Sequence, residues 1–115
     1  AGRLAASRGA VVAVTGPVDF VTDGSKAVRI HGGSPLMPKV TALGCSLTGL
    51  VGAFAAVAPD APFDATAAAL AVFAAAGEAA GRDAEGPGSF ALRFLDALHA
   101  LDGREAEAEG RIVPA

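Results

Sequence analysis

The stretch that decides the fold runs from residue 10 to residue 24 and reads AVVAVTGPVDFVTDG. Its first part, residues 10–15, is a short apolar run rich in β-branched side chains, which is typical of a strand covered on both faces, as in a parallel sheet. After a glycine–proline break, residues 18–22 alternate between apolar and polar side chains. The Asp-Gly pair at 23–24 is a hairpin signal, so we predict a returning strand over residues 26–31.

Helices are predicted on both sides of these strands. Upstream, the last turns of a helix end at Arg8, with Gly9 in the C′ position. Downstream, helical spacing predicts a helix from about Cys45 to Pro59, a second over Asp64–Ala80 closed by Gly81, and a third that Ser89 caps. The fold class is therefore a layered α/β protein. One strand and a hairpin cannot form a doubly covered sheet, so we expect further strands before Ala1 and interpret the chain as a C-terminal fragment.

Composition limits the classes of function. The chain has 115 residues, 52% of them hydrophobic, and a net charge of -3, which argues against a nucleic-acid partner. A single cysteine excludes a disulfide framework and a cysteine-based zinc site, and it is compatible with the cytoplasm. Residues 40–59 carry no charge, but their glycines and hydroxyl side chains favour a buried helix with its entry loop over a membrane span. Residues 102–115 are acidic and glycine-containing and are predicted to be a mobile tail.

One segment has the properties of a chemical site. Cys45 stands where a polar, glycine-containing loop enters a helical pattern. The first backbone N–H groups of a helix are unpaired and bind anions such as phosphate, and the same field favours thiolate over thiol. The alternative is that Cys45 is a small buried packing residue. The chain contains neither a phosphate-binding P-loop nor a nucleophile elbow, and His31 and His99 are too far apart in sequence to suggest a metal site.

Four blocks in register carry a resemblance to a known family. Over residues 1–101 the chain resembles the hydroxyethylthiazole kinases. The matching segments are residues 14–24, residues 31–40, Gly44-Cys45, and residues 85–98 with their Gly-Pro-Gly loop and Phe-Leu-Asp-Ala-Leu helix.

The resemblance implies a ribokinase-like α/β fold and a specific reaction. Members use ATP and Mg²⁺ to phosphorylate the hydroxyethyl group of 4-methyl-5-(2-hydroxyethyl)thiazole in thiamine biosynthesis and salvage, and they form homotrimers. By this resemblance Cys45 is catalytic, Thr15 and Gly44 bind ATP, and Ala42 binds the substrate. Ala42, Leu43, Gly44 and Cys45 form the anion hole, and no metal ligand lies within this chain.

One departure from the family pattern leaves alternatives open. Ala42 stands where the family's Gly-x-Gly-Cys loop has its first glycine, and alanine adopts positive φ less readily than glycine does. The second hypothesis is therefore a non-catalytic nucleotide-binding or assembly module derived from such a kinase. A weaker third is a kinase of the same fold that acts on another alcohol, such as the pyrimidine precursor of thiamine. Under the first hypothesis residues 1–101 are the C-terminal part of a cytoplasmic kinase domain, inactive in isolation.

Overall fold

The structure is a computed structural model that describes residues 1–102 and 110–115. A short first helix is followed by three strands, a 3₁₀ helix, three longer helices and a last strand. The helices are α1 (Gly2–Arg8), a 3₁₀ helix (Met37–Lys39), α2 (Leu43–Val57), α3 (Pro62–Asp83) and α4 (Pro87–Ala100); the strands are β1 (Val12–Val14), β2 (Asp19–Thr22), β3 (Ala27–Ile30) and β4 (Ile112–Pro114). The predicted α/β class and the predicted order of strand, hairpin and three helices are confirmed.

The strands form one sheet in the order β1-β2-β3-β4, and every neighbouring pair is antiparallel. The predicted strand within residues 10–15 is confirmed over Val12–Val14. Its covering on both faces was predicted together with strands before Ala1 and stays a prediction. β1 lies at the edge of the sheet, where Ala13 pairs with Val21, and Val14 is half exposed. An apolar run indicates that the side chains are buried from water, but it does not show how many strands pair with it in the sheet.

The predicted hairpin is confirmed between β2 and β3, which pair from Asp19↔Ile30 to Thr22↔Ala27. The Asp23 carboxylate closes the turn by accepting hydrogen bonds from the backbone N–H groups of Ser25 and Lys26, both at 2.9 Å. Gly24 has φ 96°, and a Cβ there would lie 2.8 Å from the Ala6 backbone nitrogen. The turn therefore needs glycine both for its conformation and for its contact with α1.

Helix α3 is the centre of the molecule. One of its faces packs Phe63, Leu70 and Ala74 against Val21 and Ile30 of the sheet. Its opposite side packs against α2 and α4, in a second cluster that contains Phe73, Ala76, Ala80, Phe90 and Phe94. By length and composition alone α3 could cross a membrane, but 72% of its apolar window is buried inside the structure, as in the core helix of a folded domain.

Three details of the predicted helices are wrong. Helix α3 continues through Gly81 to Asp83, because the helix packs on Ser34 at that glycine instead of ending there. Ser89 is the third residue of α4 and not its N-cap; its Oγ accepts hydrogen bonds from the N–H groups of Glu85 and Gly86 at 3.0 and 3.3 Å. Helix α2 has no fully buried residue, since only one of its faces packs on α3.

The chain end also differs from the predicted mobile tail. Residues 103–109 lie outside the described part, but Ile112–Pro114 pair with β3 as the strand β4. The Arg111 side chain is buried; its Nη1 donates to the His31 carbonyl at 3.2 Å and to Glu78 Oε2 at 3.1 Å. The acidic composition of the preceding residues concealed a short strand that a buried arginine anchors.

Candidate functional site

A cavity of about 590 Å³ lies where the β1–β2 turn, the loop before the 3₁₀ helix and the start of α2 come together above α3. Its lining combines polar residues such as Thr15, Asp19 and Ser34 with apolar side chains such as Leu47 and Phe73. The lining residues are Thr15, Gly16, Pro17, Asp19, Gly32, Gly33, Ser34, Pro35, Met37, Pro38, Leu43, Gly44, Leu47, Phe73 and Ala74. A concave, mostly apolar space with a few convergent polar groups is the usual form of a small-molecule site.

The start of α2 supplies backbone donors at this cavity. The first intrahelical bond runs from the Ser46 N–H to the Ala42 carbonyl at 3.0 Å, so the N–H groups of Leu43, Gly44 and Cys45 precede it. No side-chain cap bond satisfies these donors in the described structure, and the first turn of α2 holds no acidic residue. Free donors and the positive end of the helix dipole favour an anion at this position.

Cys45 is the third residue of α2 and is exposed. Its predicted location at the start of a helix is therefore confirmed, and its interpretation as a buried packing residue is wrong. It follows Gly44 in the first turn but is not itself among the residues that line the cavity. The catalytic role of Cys45 stays a prediction.

The other predicted site residues divide between the cavity and its margin. Thr15 follows β1 and lines the cavity together with Leu43 and Gly44, although 28 positions separate Thr15 from Leu43 in sequence. Ala42 lies at the margin as the N-cap of α2, with φ 66° and ψ 13°. This positive φ lies in the region that glycine adopts more readily than alanine does. The ligand contacts assigned to these residues stay predictions.

Sequence reasoning missed Asp19, the first residue of β2. Its half-buried carboxylate lines the cavity, and its Oδ1 accepts a hydrogen bond from the Gly16 N–H at 3.0 Å. Burial raises the pKa of the Asp19 carboxyl above 3.8, and the bond from Gly16 opposes part of that rise. The available signal was its place just after the Gly16-Pro17 break, since aspartate side chains often hydrogen-bond the backbone in turns.

The described residues do not form a magnesium site by themselves. Among them there is no group of three or more histidine, cysteine or acidic side chains that could hold a metal ion. Asp19 is the one acidic residue among those that line the cavity. Mg²⁺ needs near-octahedral coordination by oxygen atoms, which a single carboxylate does not provide. No step is therefore assigned to a metal bound by this chain.

The chain is similar to known proteins of one enzyme family. Residues 1–104 match the model of the hydroxyethylthiazole kinase family. The chain belongs to this family. It is 67% identical over 111 residues to a hydroxyethylthiazole kinase of Rhizobium rhizogenes, and 66% identical over 110 residues to one of Cereibacter sphaeroides.

The solved structures agree with this assignment. A hydroxyethylthiazole kinase protein from Pyrococcus horikoshii superimposes on 99% of the chain with a TM-score of 0.90 and 34% identity. The match covers 44% of that structure, and the two bacterial matches each cover 96% of this chain and 41% of the relative. The chain thus spans less than half the length of these relatives and corresponds to their C-terminal part.

Proposed function

We propose that this chain contributes part of the active site of an ATP-dependent kinase that phosphorylates the hydroxyl of 4-methyl-5-(2-hydroxyethyl)thiazole in thiamine synthesis. The observation that carries the proposal is the cavity at which Thr15 meets the start of α2. The chain around that cavity is two-thirds identical to proteins with the corresponding name. This identity favours an enzyme over a non-catalytic module.

In this proposal the polyphosphate of ATP lies against the start of α2. The Thr15 hydroxyl donates a hydrogen bond to a phosphate oxygen, and the N–H groups of residues 42–45 donate to the equatorial oxygens of the transferred phosphoryl group. These donors stand at fixed positions on a helix, so they need little reorganisation as charge develops on those oxygens. Ala42 and Gly44 approach the ligands through backbone alone, which suits a crowded phosphate site.

Cys45 acts at the acceptor side of the anion hole. As the thiazole hydroxyl oxygen forms its bond to the γ-phosphorus, the bond between that phosphorus and the β–γ bridging oxygen breaks, and ADP leaves with the bonding electrons. The Cys45 side chain accepts the hydroxyl proton or helps to orient it during the attack. General-base assistance of this kind contributes about 10²–10⁴-fold in rate, and positioning with charge stabilisation supplies the remainder.

Several properties of the complete kinase belong to the same proposal. ATP enters with Mg²⁺, whose ligands we assign to no residue of this chain. The active assembly is a homotrimer located in the cytoplasm, and it binds neither nucleic acid nor membrane. The net charge of -3 argues against binding to nucleic acid. The mostly buried position of α3 argues against insertion into a membrane. Light scattering of the purified protein tests the trimer.

The central experiment measures phosphoryl transfer by the full-length protein that contains these residues. ATP, Mg²⁺ and the thiazole alcohol are supplied, and the phosphate ester is detected by mass spectrometry alongside the release of ADP. We expect one thiazole phosphate for each ADP. ADP release without an ester, or no turnover, would contradict the proposal.

A matched reaction with the hydroxymethyl pyrimidine precursor of thiamine separates the proposal from the related kinase activity. We expect kcat/KM for the thiazole alcohol to exceed that for the pyrimidine alcohol by at least about 10²-fold, because the pyrimidine cannot make the contacts that the pocket makes with the thiazole. A preference for the pyrimidine would transfer the function to that substrate.

A further inference from the structure

In the turn between β1 and β2, the Asp19 side chain hydrogen-bonds to the backbone. Thr15, Gly16 and Pro17 are exposed and line the cavity, while the flanking residues Val14 and Phe20 form the last pair of the ladder. Across this turn the Gly16 N–H donates to Asp19 Oδ1 at 3.0 Å. The Asp19 backbone in turn pairs with Ile30 of β3. The carboxylate thus ties an exposed segment of the cavity wall to the interior of the sheet.

Asp23 offers an internal comparison, since its carboxylate closes the next turn along the chain in a similar way. The pKa of Asp23 is lowered, chiefly by the hydrogen bonds from the Lys26 and Ser25 N–H groups, so its ionised form favours the fold. For Asp19 the balance is reversed, because burial outweighs the bond from Gly16 and raises the pKa. Ionisation of Asp19 is therefore less favourable at this place than in water.

The chain position of Asp19 explains what it can control. Thr15 precedes Gly16 directly, so the direction in which Thr15 enters the cavity depends on where the Gly16 peptide is held. A displacement of about 1 Å at a positioning group can cost about 10²-fold in rate. We propose that Asp19 is a positioning residue that holds the Gly16 peptide and thereby sets the place of Thr15 in the nucleotide site. The inference rests on the proposed function, in which Thr15 contacts ATP.

The test uses four variants of the full-length protein, each measured for its KM for ATP, its kcat, its ATP affinity by calorimetry and its Tm. Asp19→Ala removes the acceptor, whereas Asp19→Asn keeps an oxygen within reach of the Gly16 N–H. Thr15→Val removes the hydroxyl that Asp19 is inferred to position. Asp23→Ala is the matched control, because it removes the same kind of turn bond outside the cavity.

We expect Asp19→Ala to raise the KM and the dissociation constant for ATP about tenfold, and Asp19→Asn to change them by less than about threefold. Asp23→Ala lowers Tm and leaves both constants unchanged. The double variant Asp19→Ala/Thr15→Val binds ATP no more weakly than Thr15→Val alone, because both changes remove one interaction. Should Asp19→Ala fail to fold, Asp19→Ser replaces it; its shorter side chain is a weaker acceptor, and we expect an intermediate rise.

Three results would overturn the inference. The first is an unchanged ATP affinity in Asp19→Ala or Asp19→Ser. The second is an Asp19→Asn defect equal to that of Asp19→Ala, which would mean that the charge acts directly. The third is an additive double variant. Failure of the proposed function is seen separately, because the parent protein would then not phosphorylate the thiazole alcohol while its ATP affinity could still be compared among the variants.

Discussion

Ala42 begins α2 from the left-handed region of backbone space, with φ 66° and ψ 13°. Among the described residues it is the only non-glycine residue with a positive φ. An L-residue pays about 1–2 kcal/mol for this conformation, and the cost falls at the loop that the proposal places against the substrate. No side-chain cap bond compensates for it in the described structure.

Replacing this alanine should therefore benefit both the fold and the site. We expect Ala42→Gly to raise the free energy of unfolding by about 0.5–1 kcal/mol and to tighten binding of the thiazole alcohol. Chemical denaturation and calorimetric titration measure the two effects. The matched control is Ala53→Gly, an exposed position within the same helix, which should lose about 0.5–1 kcal/mol. Equal losses in both variants would mean that the loop already accommodates the methyl group.

At Cys45 the expected effect is on chemistry and not on binding. A serine hydroxyl is a much weaker base than a thiolate, so Cys45→Ser should lower kcat by about 10²-fold and leave the KM for ATP nearly unchanged. The residue is exposed, and the substitution is nearly isosteric, so Tm should not move. Steady-state kinetics with the thiazole alcohol decide the matter; an unaltered kcat would remove Cys45 from the mechanism.

Two aspartates should give opposite pH dependences of stability. Because burial raises the pKa of Asp19, its folded form holds the proton more tightly, and its contribution to the free energy of unfolding falls as pH rises from 3.8 through the raised value. Asp19→Asn should therefore gain relative to the parent across that window. Hydrogen bonds lower the pKa of Asp23, so its contribution is present above 3.8 and is lost as pH falls through the lowered value.

Denaturation of the parent, Asp19→Asn and Asp23→Asn between about pH 3 and pH 7 measures these differences. The advantage of the parent over Asp23→Asn should shrink towards acid. Parallel pH profiles for all three proteins would contradict the assignment of opposite shifts.

At the scale of elements, Arg111, the residue before β4, connects the last strand to the helical layer. Arg111 Nη1 reaches Glu78 Oε2 of α3 at 3.1 Å and the His31 carbonyl beside β3 at 3.2 Å. Gly32 makes room for this guanidinium, since a Cβ at Gly32 would collide with Nη1 of Arg111. The same loop lines the cavity, so the last strand and the site share a support.

Arg111→Met should lower the free energy of unfolding by about 2 kcal/mol, because it removes buried hydrogen bonds to a charged group and to a carbonyl. Arg82→Met is the matched control. Arg82 also pairs with Glu78, at 3.4 Å, but its side chain is largely exposed, so the expected loss is below about 1 kcal/mol. Urea denaturation compares the two, and equal losses would mean that β4 contributes little to the fold.

For the whole molecule, the exposed apolar surface is the feature with the clearest consequence. Val57, Leu92 and Leu95 are 85%, 67% and 65% exposed, and the edge strand β1 leaves Val14 51% exposed. Strand edges and apolar patches of this kind are normally covered in a stable domain. The relatives have more than twice the matched length, which is enough chain to cover these surfaces.

We therefore expect residues 1–115 alone neither to turn over ATP nor to form a stable monomer. Expression of these residues by themselves, followed by calorimetry, light scattering and a kinase assay, tests both statements, with the full-length protein as control. A monodisperse and active monomer with a cooperative thermal transition would show that the 115 residues suffice.

Much of this molecule follows from its sequence alone, because the relevant signals lie between near neighbours. The Asp23-Gly24 pair determines the hairpin, Gly9 ends α1 in the left-handed conformation, and the loop before Leu47 places Cys45 in the first turn of a helix. The ordered blocks from Val14 to Leu98 indicated the family, which the comparisons confirmed.

Only the tertiary structure decided the features that join distant segments. The pairing of β4 with β3 depends on which strands meet, and an acidic tail does not encode that choice. Arg111 and His31 are 80 positions apart, and Asp19 belongs to the cavity only because α2 returns to the β1–β2 turn. The physical reason is that burial, and with it the pKa of a carboxylate or the role of an arginine, is a property of packed neighbours and not of residue type.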